Sequence, residues 1–349
     1  MARPLSRDIE DLVLDWRRVA WPLDPEAVFG RRAPLVLEIG FGNGEFLADL
    51  AAARPDRDHL GIELSWSGAI RLFPRLRKRG ATNARALLGD AAVLVERLFD
   101  LDVLDEVYVN HPCPWPKARH HGRRLLTAPF LELLASRMRP GARLTMVTDH
   151  AEYAEWLHEE LGRQRALESR HATAEVASIP GRKPTKYQQK AMDQGVPIHF
   201  FEWRRPDPPT LAGPAAPPVS DPSESPMLSL TLEGAVDLDR SLSDFRTRAE
   251  KGTPQGVTTV VKLDAAWRGT DGTWLVSAMT QEDGLRQDFA LLAVPREGGV
   301  LVKLGELGRA HPTRAVKRAV ELLGTHLASE GVRITHRNLG ETTVEEGAC

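Results

Sequence analysis

Between Asn110 and Arg124 the chain reads Asn-His-Pro-Cys-Pro-Trp-Pro-Lys-Ala-Arg-His-His-Gly-Arg-Arg. Each of its three alternating prolines fixes φ and lacks an N–H, so no helix can begin there and the spacing predicts a stiff, extended loop. The loop follows an apolar run, Val103 to Val109, that has strand character. It brings a thiol, an indole and a dense group of cations together in one short span. Lys117, Arg119, Arg123 and Arg124 suit contact with nucleic-acid phosphates. Trp115 suits either stacking on an unpaired base or pinning the loop to its sheet. Cys113, beside those cations, could be a nucleophile.

A second group of residues speaks to a cofactor. Leu35-Val36-Leu37-Glu38-Ile39 runs into Gly40-Phe41-Gly42-Asn43-Gly44, and Glu45 to Ala53 follows at helical period. Strand, glycine turn and helix form the opening unit of a nucleotide-binding α/β sheet, with the glycines allowing close approach of the backbone to a ligand. Such a turn suits a dinucleotide or S-adenosylmethionine, and charge separates the two. A pyrophosphate requires bare helix N-terminal amides, whereas a sulfonium and an ammonium favour carboxylates. Glu38 before the turn, Glu45 after it, and Glu63 and Asp90 closing the next two strands favour the sulfonium cofactor.

The elements that must carry these residues alternate regularly. Strands are predicted at His59–Glu63, Ala84–Leu88, Leu104–Val109 and Leu144–Val147, with helices at Ser67–Arg79, Ala91–Phe99, Thr127–Arg139 and from Ala151 to about Arg165. The alternation predicts a Rossmann-like α/β domain whose parallel sheet is covered on both faces. An amphipathic helix is expected over Asp8–Ala20, and a basic segment, Gly181–Lys190, precedes a last strand near Gly195–Trp203. Residues 206–226 are rich in Pro, Ala, Ser and Asp, the composition of a linker. The domains expected are therefore 1–205, a linker at 206–226, and a smaller α+β domain at 227–349. The latter reads as strands at Leu228–Leu232, Val257–Leu263, Thr273–Ala278, Asp288–Val294 and Val300–Leu304, then a helix over Pro312–Ser329.

With 349 residues, two domains are natural, and 42% hydrophobic and 27% charged residues describe an ordinary globular protein. A net charge of -2 provides no global basic field, so a nucleic acid must meet a local patch. Two cysteines, Cys113 and Cys349, make neither a disulfide framework nor a metal site, which suits the cytoplasm. Neither a membrane span nor a signal peptide is apparent, and no metal is expected.

From about Pro34 to Arg205 the chain resembles the bacterial tRNA (guanine-N7)-methyltransferase family, which modifies guanine 46 in the variable loop of tRNA. The resemblance lies in Leu37 to Phe46, Gly61-Ile62-Glu63, Gly89-Asp90, Pro114-Trp115-Pro116-Lys117 with Arg119-His120 and Arg123-Arg124, Thr148-Asp149, and Thr185-Lys186-Tyr187. It implies S-adenosylmethionine bound by Glu38, Glu63 and Asp90 around Gly40, Gly42 and Gly44, and tRNA met by Lys117, Asp149 and Thr185. The expected partner is tRNA, and the expected assembly a monomer or homodimer. Two positions depart from the family: Cys113 stands where it has an aspartate before Pro-Trp-Pro-Lys, and Gln188 where it has a glutamate. That aspartate is held to orient the guanine or support catalysis. Guanine N7 offers a lone pair and no proton, so methyl transfer there needs positioning rather than a base. Asn110, Asp149 and Gln188 are then the groups expected to hold the base. Two alternatives are a pyrimidine-C5 RNA methyltransferase using Cys113 and a tRNA-binding protein whose catalytic centre has decayed.

Overall fold

The computed structural model describes residues 12–211, 228–253, 258–282, 284–305, 307–308, 310–328 and 332–339. Cys349, most of the expected linker and the start of the expected N-terminal helix lie outside these residues. The described chain divides into two compact units, one of residues 12–16 and 21–211, the other of residues 17–20 and 228–339.

In the first unit the elements run α1 (Pro25–Phe29), β1 (Leu35–Ile39), α2 (Glu45–Ala53), β2 (Asp58–Glu63), α3 (Trp66–Arg79), β3 (Ala84–Leu88), α4 (Ala91–Leu98) and β4 (Leu104–Asn110). There follow α5 (Ala128–Arg137), β5 (Met138–Thr148), α6 (Ala151–Arg163), β6 (Glu168–Ser169), α7 (Lys186–Asp193) and β7 (His199–Arg204). The seven strands lie in the order β3-β2-β1-β4-β5-β7-β6. β1 is buried along its whole length, as an apolar strand in a parallel sheet covered on both faces must be. Phe41, Leu47, Ala48 and Ala51 pack with Leu72, Phe73 and Leu76, fixing α2 and α3 together. Thr127 caps α5 with Pro129 in its first turn, as its sequence indicates.

Three expectations are corrected. The sheet is not wholly parallel, because β7 pairs antiparallel with both β5 and β6. Residues 12–20 are not helical: Val13 forms an isolated parallel bridge with Ala86, and Trp16 is buried with its indole N–H donating to Leu88 O at 2.7 Å. The apolar residues Leu12, Val13 and Trp16 lie along β3 rather than on one helix face. Finally, the helix expected to reach Arg139 ends at Arg137 and the strand expected from Leu144 already begins at Met138, so that Pro140-Gly141 lies inside β5, where the register shifts between Leu104↔Met138 and Glu106↔Arg143.

The second unit contains β8 (Ser229–Glu233), α8 (Leu238–Leu242), β9 (Arg248–Gly252), β10 (Thr259–Arg268), β11 (Trp274–Glu282), β12 (Leu285–Arg296), β13 (Gly299–Leu304), α9 (Arg314–Leu327) and β14 (Arg333–Asn338). Its strands form an antiparallel sheet in the order β14-β8-β13-β12-β11-β10-β9. Alternate residues such as Leu230, Leu232, Val276, Leu291 and Val302 share a core with Val316, Val320, Leu323 and Leu327 of α9.

Candidate active site

In a sheet of this type ligands gather at the carboxyl ends of the parallel strands. There β1 passes into Gly40, Gly42 and Gly44, whose φ values of 73°, 54° and 73° are left-handed. At Gly44 a Cβ would stand 2.6 Å from Leu72 Cβ, so the glycine is needed both for its φ and for the approach of α3. At Gly42 a Cβ would have nothing within 4 Å, so its positive φ, rather than crowding, favours glycine. Its N–H donates to Glu63 Oε2 at 2.9 Å, while Glu63 Oε1 accepts from Ser65 N at 2.9 Å. Glu63 thus ties the glycine turn to the end of β2. Asp90 caps α4 by accepting from Ala92 N at 2.8 Å and is itself exposed.

Glu38 is buried at 2% exposure. Its Oε1 accepts from Asn110 Nδ2 at 2.9 Å, and its Oε2 has no hydrogen-bond partner among the described residues. Burial pushes the carboxyl up to about 7, against the opposing pull of the Asn110 hydrogen bond and the Arg182 charge. A buried carboxylate oxygen without a donor, beside an open glycine turn, fits the ammonium of S-adenosylmethionine. Glu38, Glu63, Asp90 and the three glycines are the residues that would hold it.

In the sequence Arg182 is only one cation in the basic segment 181–190. Its Nη2 donates to Asn110 Oδ1, and its Nη1 to Gln188 Oε1 at 2.5 Å. The guanidinium carbon lies 5.3 Å from the Phe46 ring centroid and 5.9 Å from that of Phe200. Asn110 and Gln188 therefore do not stand free to hold a base: Asn110 bridges Glu38 and Arg182, and the carbonyl of Gln188 is taken by Arg182. Thr185 caps α7, accepting from Gln188 N at 3.0 Å.

The proline loop leaves β4 with left-handed φ at His111 (50°) and Trp115 (45°), unusual for residues other than glycine. Loops held this way need outside support. His111 N donates to Val147 O at 2.7 Å, and His111 Nδ1 lies 3.1 Å from Asp149 Oδ1. Beyond the last proline the chain turns into a short 3-10 helix, Ala118–Arg123, rather than staying extended.

Arg124 is the second anchor, and here the expectation of a phosphate-contacting residue is corrected. Its side chain is 1% exposed; Nε donates to Pro114 O at 2.9 Å and Nη2 to Glu152 Oε1 at 2.7 Å. The guanidinium lies 5.5 Å from the Tyr153 ring and 5.2 Å from that of Trp156. It holds the loop down from below. Lys117, Arg119 and Arg123 are exposed, with Arg123 over the Trp115 ring at 5.0 Å, which favours Trp115 as a pin in the loop. Cys113 is exposed too.

A family model described as a putative methyltransferase matches residues 32–201. A tRNA (guanine-N(7)-)-methyltransferase of Thermus thermophilus is 34% identical over 326 residues, covering 93% of this chain and 98% of its own. The chain belongs to the tRNA (guanine-N(7)-)-methyltransferase family. A Deinococcus radiodurans tRNA (guanine-N(7)-)-methyltransferase is 35% identical across 87% of this chain and 92% of its own, whereas one from Cutibacterium acnes, 40% identical, aligns with 53% and 68%. The two longer alignments exceed the first unit, so the second unit is shared with some tRNA (guanine-N(7)-)-methyltransferases. Among solved structures, the 16S rRNA methyltransferase KamB covers 52% of this chain and 92% of its own at 16% identity and a TM-score of 0.36, too distant to add to the fold described above.

Proposed function

We propose that the protein transfers a methyl group from S-adenosylmethionine to N7 of a guanine in tRNA, guanine 46 being the expected position. The observation that carries this reading is the alignment with the Thermus relative over 93% of the chain. The bound cofactor supplies an electrophilic methyl group on a sulfonium. Transfer of that methyl group to the N7 lone pair would leave the thioether as leaving group and the positive charge on the purine. No proton moves, so the protein's task is to place N7 in line and to tolerate the developing cation.

In this reading Glu38, Glu63 and Asp90 hold the cofactor. The exposed Lys117, Arg119 and Arg123 meet phosphates, and Asp149, whose carboxylate is 41% exposed, is the acid beside the loop available to the charged purine. Thr185 orders the segment that faces the RNA. No thiolate chemistry is needed from Cys113. Neither the pyrimidine reading nor the decayed-enzyme reading is favoured by the relatives. The test is transfer of labelled methyl to unmodified tRNA followed by chemical cleavage at 7-methylguanosine. A break at guanine 46 is expected; label elsewhere, or none, sinks the proposal.

A further inference from the structure

The cofactor cradle contains two buried polar atoms of opposite character that lack partners among the described residues: the acceptor Glu38 Oε2 and the donor Arg182 Nε. Asn110 stands between their side chains, giving its N–H to Glu38 and its carbonyl to Arg182. An acceptor and a donor held apart by one amide are complementary to a zwitterion whose ammonium and carboxylate are separated by one carbon. We infer that Glu38, Asn110 and Arg182 form a receptor for the α-amino-acid end of the cofactor, in which Arg182 takes the carboxylate.

Three further observations point the same way. Phe46 and Phe200 flank the guanidinium, fixing its plane without neutralising it. Its other partners, Asn110 and Gln188, are neutral side chains, and among the described residues no carboxylate directly bonds Arg182. Arg182 also lines a cavity of about 250 Å³ together with Phe46 and Thr185, so there is open space beside the guanidinium. Burying an arginine this way is costly unless a counter-charge arrives. Gln188 has a matching role. A neutral amide at this position positions the guanidinium while leaving its charge to the ligand, where a glutamate would compete for it.

The inference rests on the proposed cofactor, and calorimetry on the full chain separates the two. S-adenosylhomocysteine is compared with its decarboxylated analogue, which keeps the adenosine, thioether and amine and lacks only the carboxylate. Wild type should prefer S-adenosylhomocysteine by about tenfold to a hundredfold, the range of a charge-assisted hydrogen bond. Arg182→Gln should lose that preference while binding the decarboxylated analogue as wild type does, and Arg182→Lys should recover part of it. Unchanged binding of the analogue also reports that the variant is folded. If Arg182→Gln binds neither compound, the wild-type preference alone decides. Wild type that binds both equally, or a variant that retains the full preference, overturns this inference and leaves the methyltransferase reading intact. Wild type that binds neither overturns both.

Discussion

Glu38 sits in its fold at an energetic cost. Its folded value of about 7 lies above the ordinary 4.5, so the folded protein retains a proton that the unfolded chain releases. Its contribution is fully favourable below about pH 4.5 and is lost as pH rises through about 7. Charged Glu38 then costs about 3 kcal/mol. Glu38→Gln should therefore be more stable than wild type at pH 8, by an amount that shrinks towards pH 4.5, as urea midpoints at the two pH values would show. The same variant should lose most of its affinity for S-adenosylhomocysteine. In wild type, affinity should rise with pH up to about 7 and then level, because the ligand's ammonium requires the carboxylate. A flat calorimetric profile from pH 5.5 to 8 contradicts this. Cys113→Ala should keep methyl transfer within a few-fold, since an exposed thiol has no step to perform; complete loss would restore the nucleophile reading. The acids and glycines of the cradle were legible because their residue types carry the chemistry. Arg182 was not, because only folding brings it against Asn110, 72 residues earlier.

At the scale of elements, the proline loop separates into a buried support and an exposed face. Arg124→Ala should destabilise the protein by roughly 1–3 kcal/mol, through lost hydrogen bonds and lost packing under the loop. Arg123→Ala should leave stability nearly unchanged. It should instead weaken tRNA binding and reduce the slope of log K against log salt by about one. Filter binding across a salt series, beside urea unfolding, distinguishes the two; equal effects on both measurements would refute the division. Two adjacent arginines look alike in a sequence, and what divides them is α6, whose Tyr153 and Trp156 receive one guanidinium and not the other. The strands missed in the second unit have a comparable cause. β9 and β14, Arg-Ala-Glu-Lys-Gly and Arg-Ile-Thr-His-Arg-Asn, are the two sheet edges, where charged side chains blunt the strand against further pairing and erase the apolar alternation.

For the whole molecule, each unit has its own core, so thermal unfolding should show two transitions, and S-adenosylhomocysteine should raise only that of the first unit. A single transition that shifts as one would refute this. β7 runs against its neighbour β5, with a consequence for how such a molecule can change. A last strand parallel to the others would begin at the far edge of the sheet. Reversed, it begins where β1, β4 and β5 end, so the chain leading into it, with Arg182, Thr185 and Gln188, must cross the mouth of the site. Insertions and replacements between β6 and β7 can therefore alter which RNA is admitted without disturbing the register of any cofactor-bearing strand. The strands that carry Glu38, Glu63 and Asp90 can stay fixed while this crossing stretch lengthens or changes around its own Arg182 and Gln188.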